Sequence, residues 1–264
     1  MSDFDRRRAL ISTAGLAVGG QATVRLLPEE MLLRDRRTAR SRVAILSAAE
    51  YSEGLVDCVT QALRLFGLAI RDKAVLLKPN LVEYIPGVDV NTNPMLIGAT
   101  AEAILRVGAK SVVVAEGPGH QRDTYLVLSQ SRLGAQLHSQ KIEFIDLNRD
   151  ELIRVPMRAT YTGLDHLWLP RTVLETDFLV SMPKIKTHHW AGVTLSMKNM
   201  FGIVPGTKYG WPKNVLHWKG IHRSILDICA TAPIHFVICG WRDRRGGQWA
   251  AARISSPSRQ NRSR

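Results

Sequence analysis

Residues 177–190 read DFLVSMPKIKTHHW, an apolar run that passes directly into a loop rich in Lys and His. The run Asp177–Met182 predicts a buried strand, because short, continuous apolar segments bounded by turn residues are typical of strands covered on both faces. The polar loop opens at Pro183. Two earlier apolar runs also end in polar loops, so this stretch indicates how the rest of the chain is organised.

Apolar runs alternate with helical patterns on both sides of this stretch. The predicted strands are Val43–Leu46, Lys73–Leu77, Ser111–Ala115, Ile142–Ile145, Asp177–Met182 and His235–Ile238, with shorter ones at Leu152–Val155 and His166–Leu169. Between them, apolar residues recur at the helical period, and Asn93-Pro94 and Asp123 are typical helix starts. This alternation predicts an α/β fold with a mostly parallel sheet covered by helices.

The formal net charge of +13 over 264 residues belongs mainly to the two ends of the chain. Residues 1–42 contribute +4 and residues 240–264 contribute +6, which leaves +3 for the middle. A hydrophobic fraction of 45% excludes disordered and collagen-like classes. Nucleic-acid binding through the ends therefore ranks last among the functions considered, because the middle of the chain has almost no excess charge.

Residues 1–42 are interpreted as a twin-arginine export signal followed by a charged linker. Arg7-Arg8, one spacer and two apolar residues precede the weakly apolar stretch Ser12–Ala22. This pattern predicts an exported, periplasmic protein, and a disordered basic tail on a cytoplasmic protein is the alternative. No apolar run reaches the roughly 18 residues of a membrane-spanning helix, so no integral membrane segment is expected beyond the signal.

Residues 239–264 differ in composition from the rest of the chain. They are rich in Arg, Ser and Gly and contain one Ile and no Leu or Val. Three interpretations stay open: a basic nucleic-acid tail, a disordered end, or a translated frameshift. The α/β domain is accordingly placed at residues 43–238.

Three predicted strands end in loops that carry most of the chemically active side chains. The carboxyl ends of parallel strands meet at one edge of a sheet, where ligands of α/β proteins bind. The first two loops supply Lys78, Asn80, Glu83, Glu116 and Gly117, and the third supplies Lys184, Lys186, His188, His189, Lys198 and Asn199.

The lysines and amides of these loops predict a site for an anionic small molecule. Lys78, Asn80, Glu116, Lys198 and Asn199 are the candidate substrate-binding residues, and Lys184, Lys186, His188 and His189 are the candidate catalytic residues. A buried lysine near other cations has a lowered pKa and can act as a base or nucleophile. Lys184 and Lys186 would share one side of an extended segment, whereas of the adjacent His188 and His189 at most one would point inward.

Metal and cofactor motifs give little support for a specific group. One hypothesis is a metal site formed by histidines and a carboxylate: His188, His189, His217, His222 and Glu116. A lone histidine, however, is more often a general acid, a general base or a structural residue. Neither a dinucleotide fingerprint, a phosphate-binding P-loop nor a hydrolase nucleophile elbow occurs in the sequence. The three cysteines, Cys58, Cys229 and Cys239, cannot form a four-cysteine cluster.

Several of these residues lie in motifs that recur in a known family. In chain order they are KPN at 78–80, NTNP at 91–94, EG at 116–117, PKIKTH at 183–188 and MKNMFG at 197–202. Over about residues 43–238 the chain resembles the family called domain of unknown function 362, which is bacterial and archaeal and lacks an agreed reaction.

The resemblance implies two further expectations. Many family members are described as iron–sulfur proteins because they carry ferredoxin-type cysteine motifs, so a redox accessory role is the alternative function, although this chain lacks those cysteines. Family members typically continue beyond the last strand into an acidic, glycine-rich segment. Its absence after Ile238 leads us to expect a truncated or frameshifted chain whose sheet is incomplete at the C-terminus, and a non-functional remnant is a further alternative.

Overall fold

The computed structural model describes residues 42–47, 54–119, 123–243 and 246–252. The described strands are β1 (Val43–Ser47), β2 (Ala74–Pro79), β3 (Ser111–Glu116), β4 (Glu143–Asp146), β5 (Leu152–Pro156), β6 (His166–Pro170), β7 (Phe178–Met182), β8 (Lys186–His188), β9 (Gly192–Thr194), β10 (Phe236–Asp243) and β11 (Gly246–Ala252). The described helices are α1 (Gly54–Phe66), α2 (Pro94–Arg106), α3 (Thr124–Gln130), α4 (Leu133–Ser139), α5 (Arg171–Glu175), α6 (Ser196–Asn199), α7 (Gly206–Tyr209), α8 (Asn214–Trp218) and α9 (Ile221–Thr231), with a 3₁₀ helix at Met200–Ile203.

One large sheet has the strand order β1-β11-β10-β7-β2-β3-β4. The five strands from β10 to β4 run parallel to their neighbours, whereas β11 runs antiparallel to both β10 and β1. β5 pairs with β6, and β8 pairs with β9, as separate antiparallel hairpins. The prediction of an α/β fold with a mostly parallel sheet is confirmed.

Both faces of the parallel strands are buried, which explains their continuous apolar sequences. Val75 and Leu77 of β2 pack into one apolar cluster, and Leu76 packs into the other, because successive side chains of a strand point to opposite faces. Helices α1 to α4 complete the first cluster. The second cluster is completed by α5, α7, α8, α9, the 3₁₀ helix and β6.

Helix starts follow the capping residues read from the sequence. The Asn93 side chain accepts a hydrogen bond from the Met95 amide at 2.8 Å, and Asp123 accepts from Tyr125 and Leu126 at 2.9 and 3.0 Å. The stretch that follows Asp123 forms two helices, α3 and α4. They are separated at Arg132, whose φ of 63° is incompatible with a continuous right-handed helix.

The C-terminal segment requires a correction. The strand predicted to end at Ile238 continues to Asp243, and β11 returns beside it, so residues 239–243 and 246–252 are not a disordered tail. Composition misled the prediction because ladder hydrogen bonds are made by the main chain, which an Arg- and Gly-rich segment also supplies. The remaining residues, 244–245 and 253–264, lie outside the described part of the chain, as do residues 1–41 with their expected export signal.

No helix among the described residues is long and apolar enough to cross a membrane. Among described strands of the large sheet that follow one another along the chain, β7 and β10 have the longest connection, and it contains β8, β9 and α6 to α9. This connection and the loops after β2 and β3 surround the carboxyl ends of the central strands.

Candidate functional site

A cavity of about 510 Å³ opens where β2, β3 and β7 end. The residues predicted from sequence that line it are Asn80, Glu83, Glu116, Gly117, Lys186, His188, His189, Lys198 and Asn199. The sheet therefore brings together side chains from all three predicted loops, as expected for parallel strands whose carboxyl ends share an edge. Lys78 lies directly behind this surface, and Lys184 lies outside it.

Lys78 and Glu116 form a buried ion pair at the base of the cavity. Their side chains are 0% and 2% exposed, and the Lys78 Nζ donates to a carboxylate oxygen of Glu116. The same Nζ donates to the Pro79 carbonyl at 2.8 Å and to Asn199 Oδ1 at 3.1 Å, so each of its three N–H bonds has an acceptor. Burial lowers the Lys78 pKa, and the charge of Glu116 opposes that shift.

Asn199 and Gly202 hold this pair in place and explain the spacing of the Lys-Asn-x-x-Gly motif. Asn199 Nδ2 donates to the Lys78 carbonyl and to Ser181 Oγ, both at 3.0 Å, and thereby connects the ends of β2 and β7. Gly202 packs against the ion pair so closely that a Cβ there would overlap Glu116 Oε1 and the Lys78 Nζ. The motif therefore builds a floor beneath the cavity.

The NTNP motif shapes the loop after β2. Thr92 Oγ1 donates to the Met182 carbonyl at 2.6 Å and accepts from the Asn80 amide at 2.9 Å, which fixes Asn80 at the cavity wall. Asn91 spans the same loop through the Val82 amide and the Glu83 carbonyl, both at 2.8 Å. The buried Asn80 Oδ1 has no hydrogen-bond partner among the described residues.

Lys186 and Lys198 line the cavity without forming an ion pair to any described residue. The Lys186 Nζ donates to the Val90 carbonyl at 2.8 Å, and the Lys198 Nζ lies 4.7 Å from the centre of the Phe201 ring. Burial lowers the pKa of each lysine to about 8. The nearby charge of Lys78 lowers both pKa values further, and the charge of Glu116 opposes both shifts. Partial desolvation of two neighbouring cations makes this wall strongly attractive to an anion.

Lys184 is not among the residues that line the cavity, although its Nζ and the Lys186 Nζ bind adjacent residues of the loop after β2, Asp89 and Val90. Its Nζ forms an ion pair with Asp89 at 2.5 Å, and its backbone bridges Gly240 of β10. This bridge extends the pairing of β7 with β10, whereas β8 begins a separate hairpin at Lys186.

His188 and His189 both line the cavity, so the expectation that at most one of them points inward is also corrected. Their rings stack with centroids 4.9 Å apart and planes 10° from parallel. Strict alternation ends because His188 is the last residue of β8, and its Nδ1 accepts from the Trp190 and Ala191 amides of the turn, both at 3.2 Å. Burial and the positive charge of Lys198 lower the His188 pKa to about 4.

Lys213 is a cavity residue that the sequence reasoning missed. It is 2% exposed, and its Nζ donates to the Gly117 carbonyl at 3.1 Å and the Phe201 carbonyl at 2.8 Å. Burial lowers its pKa to about 7, with Glu116 opposing the shift and Lys78 adding to it. Its backbone φ is 69°, a left-handed conformation that residues other than glycine rarely adopt.

No sequence signal separates Lys213 from surface lysines, because it precedes α8 and does not follow a strand. His217, one turn further along, completes this wall: its ring lies 4.6 Å from Trp190 and 5.0 Å from Phe201. The segment around Trp211 and Lys213 is recognisable as part of the site only once the connection after β7 has folded over the sheet.

A metal site is not assembled by the part of the chain that the structure describes. No group of three or more His, Cys, Asp or Glu side chains there could hold a metal ion. His222 is not among the residues that line the cavity. The cysteines lie on three different elements: Cys58 on α1, Cys229 on α9 and Cys239 on β10, and all are free thiols.

Comparison with protein families gives one match that spans most of the described chain. The model of the family described as "Domain of unknown function (DUF362)" matches residues 75–241. A thylakoid-associated protein of Synechocystis is 31% identical over 150 residues, which cover 52% of this chain and 41% of that protein. The chain thus spans about two fifths of the length of this curated relative.

Two solved structures superpose on most of this chain. The lactate racemase apoprotein from Thermoanaerobacterium thermosaccharolyticum superposes with a TM-score of 0.52 at 18% identity, covering 85% of this chain and 55% of that one. A crystal structure of a Thermotoga maritima protein has a TM-score of 0.46 at 12% identity and covers 78% and 55%. At such low identity the racemase likeness shows an α/β fold and nothing of the reaction.

Proposed function

The chain belongs to the family described as Domain of unknown function (DUF362), a description that names no reaction. From the geometry of the site, we propose that this protein binds a small carboxylate or phosphate. One observation carries the proposal. Lys186, Lys198 and Lys213 line a single cavity, and none of them forms an ion pair to a described residue.

The alternative explanation for clustered lysines is that they are solvated or neutralised by acids of the protein. Lys78 fits that explanation, since Glu116 neutralises it inside the protein. Two acids, Glu83 and Glu116, line the cavity, against three lysines besides Lys78. A bound anion would supply charge-assisted hydrogen bonds to these ammonium groups, which are roughly twice as strong as hydrogen bonds between neutral groups.

The cavity also suits a small ligand in size and in its uncharged polar groups. Its volume of about 510 Å³ falls in the range of about 300–1,000 Å³ typical of small-molecule sites. A ligand with a hydrogen-bond donor could satisfy the buried Asn80 Oδ1, which has no partner within the described ranges. These features favour a small metabolite over an extended polymer.

His188 has a defined role in this proposal. Two main-chain amides donate to its Nδ1, so the neutral ring carries its proton on Nε2. With its pKa lowered to about 4 by burial, the ring is neutral at pH 7 and offers an N–H donor instead of a second proton acceptor. We therefore assign His188 to ligand orientation, and we assign movement of a proton to the exposed His189 or to a cavity lysine.

Isothermal titration with oxalate and with phosphate tests the proposal on the whole chain. We expect Lys186→Ala to weaken binding about tenfold, a change of about 1.4 kcal/mol. Lys184→Ala is the matched control, because Lys184 lies two residues away, carries the same charge and lies outside the cavity. Equal affinities for both variants, or no binding of either anion to the unsubstituted protein, would overturn the proposal.

We also propose that residues 1–42 direct export through the twin-arginine pathway. The support is the sequence alone: Arg7-Arg8, a spacer and two apolar residues before a mildly apolar stretch. Residues 1–42 fused to a reporter that is active only after export should give signal, and Arg7→Lys with Arg8→Lys should abolish it. Signal that survives the double substitution would contradict export by this route.

A further inference from the structure

Lys213 differs from the other cavity lysines in how its amine is held. Its side chain is buried, and its Nζ donates to the main-chain carbonyls of Gly117, in the loop after β3, and of Phe201, in the 3₁₀ helix. Neither acceptor carries a formal charge, and no carboxylate forms an ion pair with Lys213 among residues 42–47, 54–119, 123–243 and 246–252. The amine is thus fixed in position without being neutralised.

Two carbonyl acceptors suit a neutral amine. A neutral lysine has two N–H bonds and one lone pair, and the two carbonyls can engage both hydrogens. The lone pair is then left for another partner in the cavity that Lys213 lines. Lys78 is held by three acceptors, one of them a carboxylate, as a charged ammonium would be.

The surroundings favour the neutral form of Lys213. Burial and the nearby charges of Lys78 and Lys198 lower its pKa to about 7, so a large share of the molecules carry a free amine at neutral pH. Desolvated lysines next to other cations are the ones that proteins use as nucleophiles toward carbonyl compounds.

We propose that Lys213 is a nucleophile that forms an imine with the aldehyde or ketone group of a small carboxylate, such as a 2-oxo acid. The inference rests on the proposed function, because Lys186 and Lys198 would hold the carboxylate while the carbonyl carbon meets the Lys213 amine. It assigns a substrate class to the cavity and a chemical role to a residue outside the predicted set.

The reaction balances without a cofactor. The Lys213 nitrogen lone pair attacks the carbonyl carbon, forming a C–N bond and a carbinolamine. The C–O bond then breaks, and the carbonyl oxygen leaves as water with the two hydrogens that the amine carried, giving a neutral C=N bond. No oxidation or reduction occurs, and addition of water reverses the step.

Trapping with glyoxylate and sodium borohydride tests the proposal on the full chain. Borohydride supplies the hydride that reduces the imine to a stable secondary amine, so mass spectrometry of peptides locates a carboxymethyl group. We expect Lys213 to be labelled about tenfold or more faster than Lys184 at pH 7.4, because Asp89 holds the Lys184 ammonium in an ion pair, whereas the described acceptors of the Lys213 amine are uncharged carbonyls. Excess oxalate should slow the labelling of Lys213 and leave that of Lys184 unchanged.

Lys213→Arg, which retains the positive charge and loses the nucleophilic amine, should abolish the cavity label. The unsubstituted protein answers the question even if this variant does not fold. Labelling of Lys186 or Lys198 in preference to Lys213, or equal labelling of Lys213 and Lys184, overturns the inference. If oxalate binds and no cavity lysine is labelled, the inference fails and anion binding stands; if oxalate does not bind, the proposed function fails first.

Discussion

The base and the wall of the cavity use the same residue type in opposite ways. At the base, Lys78 is paired with Glu116, held by Asn199 and backed by Gly202. On the wall, Lys186, Lys198 and Lys213 have carbonyls or an aromatic ring as neighbours and no paired acid in the described chain. Burial alone therefore does not assign a role to a lysine: a paired cation is part of the interior of the fold, and one without a paired acid is available to a ligand.

The stability of the protein should depend strongly on Glu116, the acidic partner in the ion pair at the base of the cavity. Glu116→Gln would leave the fully buried Lys78 ammonium without a countercharge, so we expect unfolding free energy to fall by about 3–5 kcal/mol in urea titrations. Replacing both partners by apolar residues, Lys78→Met with Glu116→Leu, should recover part of the loss. Glu151→Gln, at an exposed pair with Arg171, is the control and should change little.

A smaller loss of unfolding free energy is expected from a substitution that crowds the ion pair at the base of the cavity and keeps both of its charges. Gly202→Ala places a Cβ against both members of the ion pair, and relief of that overlap should cost about 1–3 kcal/mol. Gly119→Ala is the matched control, since Gly119 lines the same cavity and, of the residues that the structure describes, its added Cβ would meet only the Lys213 Cε, at 4.0 Å. Equal stability of the two variants would show that Gly202 does not support the ion pair.

The wall should be recognised by a pH dependence of stability. The Lys213 pKa is lowered from 10.5 to about 7 by burial, so between these values the unfolded chain binds more protons than the folded one. Unfolding free energy therefore rises with pH across that window, because the free energy needed to remove the proton from the amine on folding falls. Lys186 and Lys198, with pKa values lowered to about 8, contribute over the upper part of it.

Thermal unfolding of the ligand-free protein from pH 6.5 to 9.5 measures this effect. We expect the melting temperature to rise with pH more steeply for the unsubstituted chain than for Lys213→Met, relative to a Lys184→Met control. The quantity compared is the slope of melting temperature against pH. A general loss of packing in Lys213→Met lowers the melting temperature at every pH and leaves this slope unchanged. Parallel curves for all three proteins would contradict an unpaired cation at Lys213.

Sequence patterns predicted the parallel strands and the edge where the site lies, since apolar runs and the carboxyl ends of strands follow from local composition and general sheet geometry. They placed Lys78, Glu116 and Asn199 together correctly but could not distinguish an ion pair from a ligand site. That distinction depends on which side chain reaches Lys78 across the sheet. Lys213 was missed because a turn far from any strand end brings it to the cavity.

The smallest effects on stability and oxalate affinity should come from substitutions outside the cavity, at the ion pair of Lys184 with Asp89. Asp89→Asn removes the partner of Lys184, but Asp89 is 67% exposed, so we expect less than about 1 kcal/mol of lost stability. Oxalate affinity should change by less than about twofold, because screening by water weakens a charge outside the cavity.

Glu83→Gln is the matched cavity substitution for this test. It removes one negative charge, as Asp89→Asn does, but from a residue that lines the cavity beside the lysine wall. Calorimetry should therefore show tighter oxalate binding for Glu83→Gln than for Asp89→Asn, by about threefold or more, since an acid facing the cavity opposes the anion directly. If Asp89→Asn tightens binding as much, Lys184 belongs to the anion site, and the boundary between wall and surface must be moved to include it.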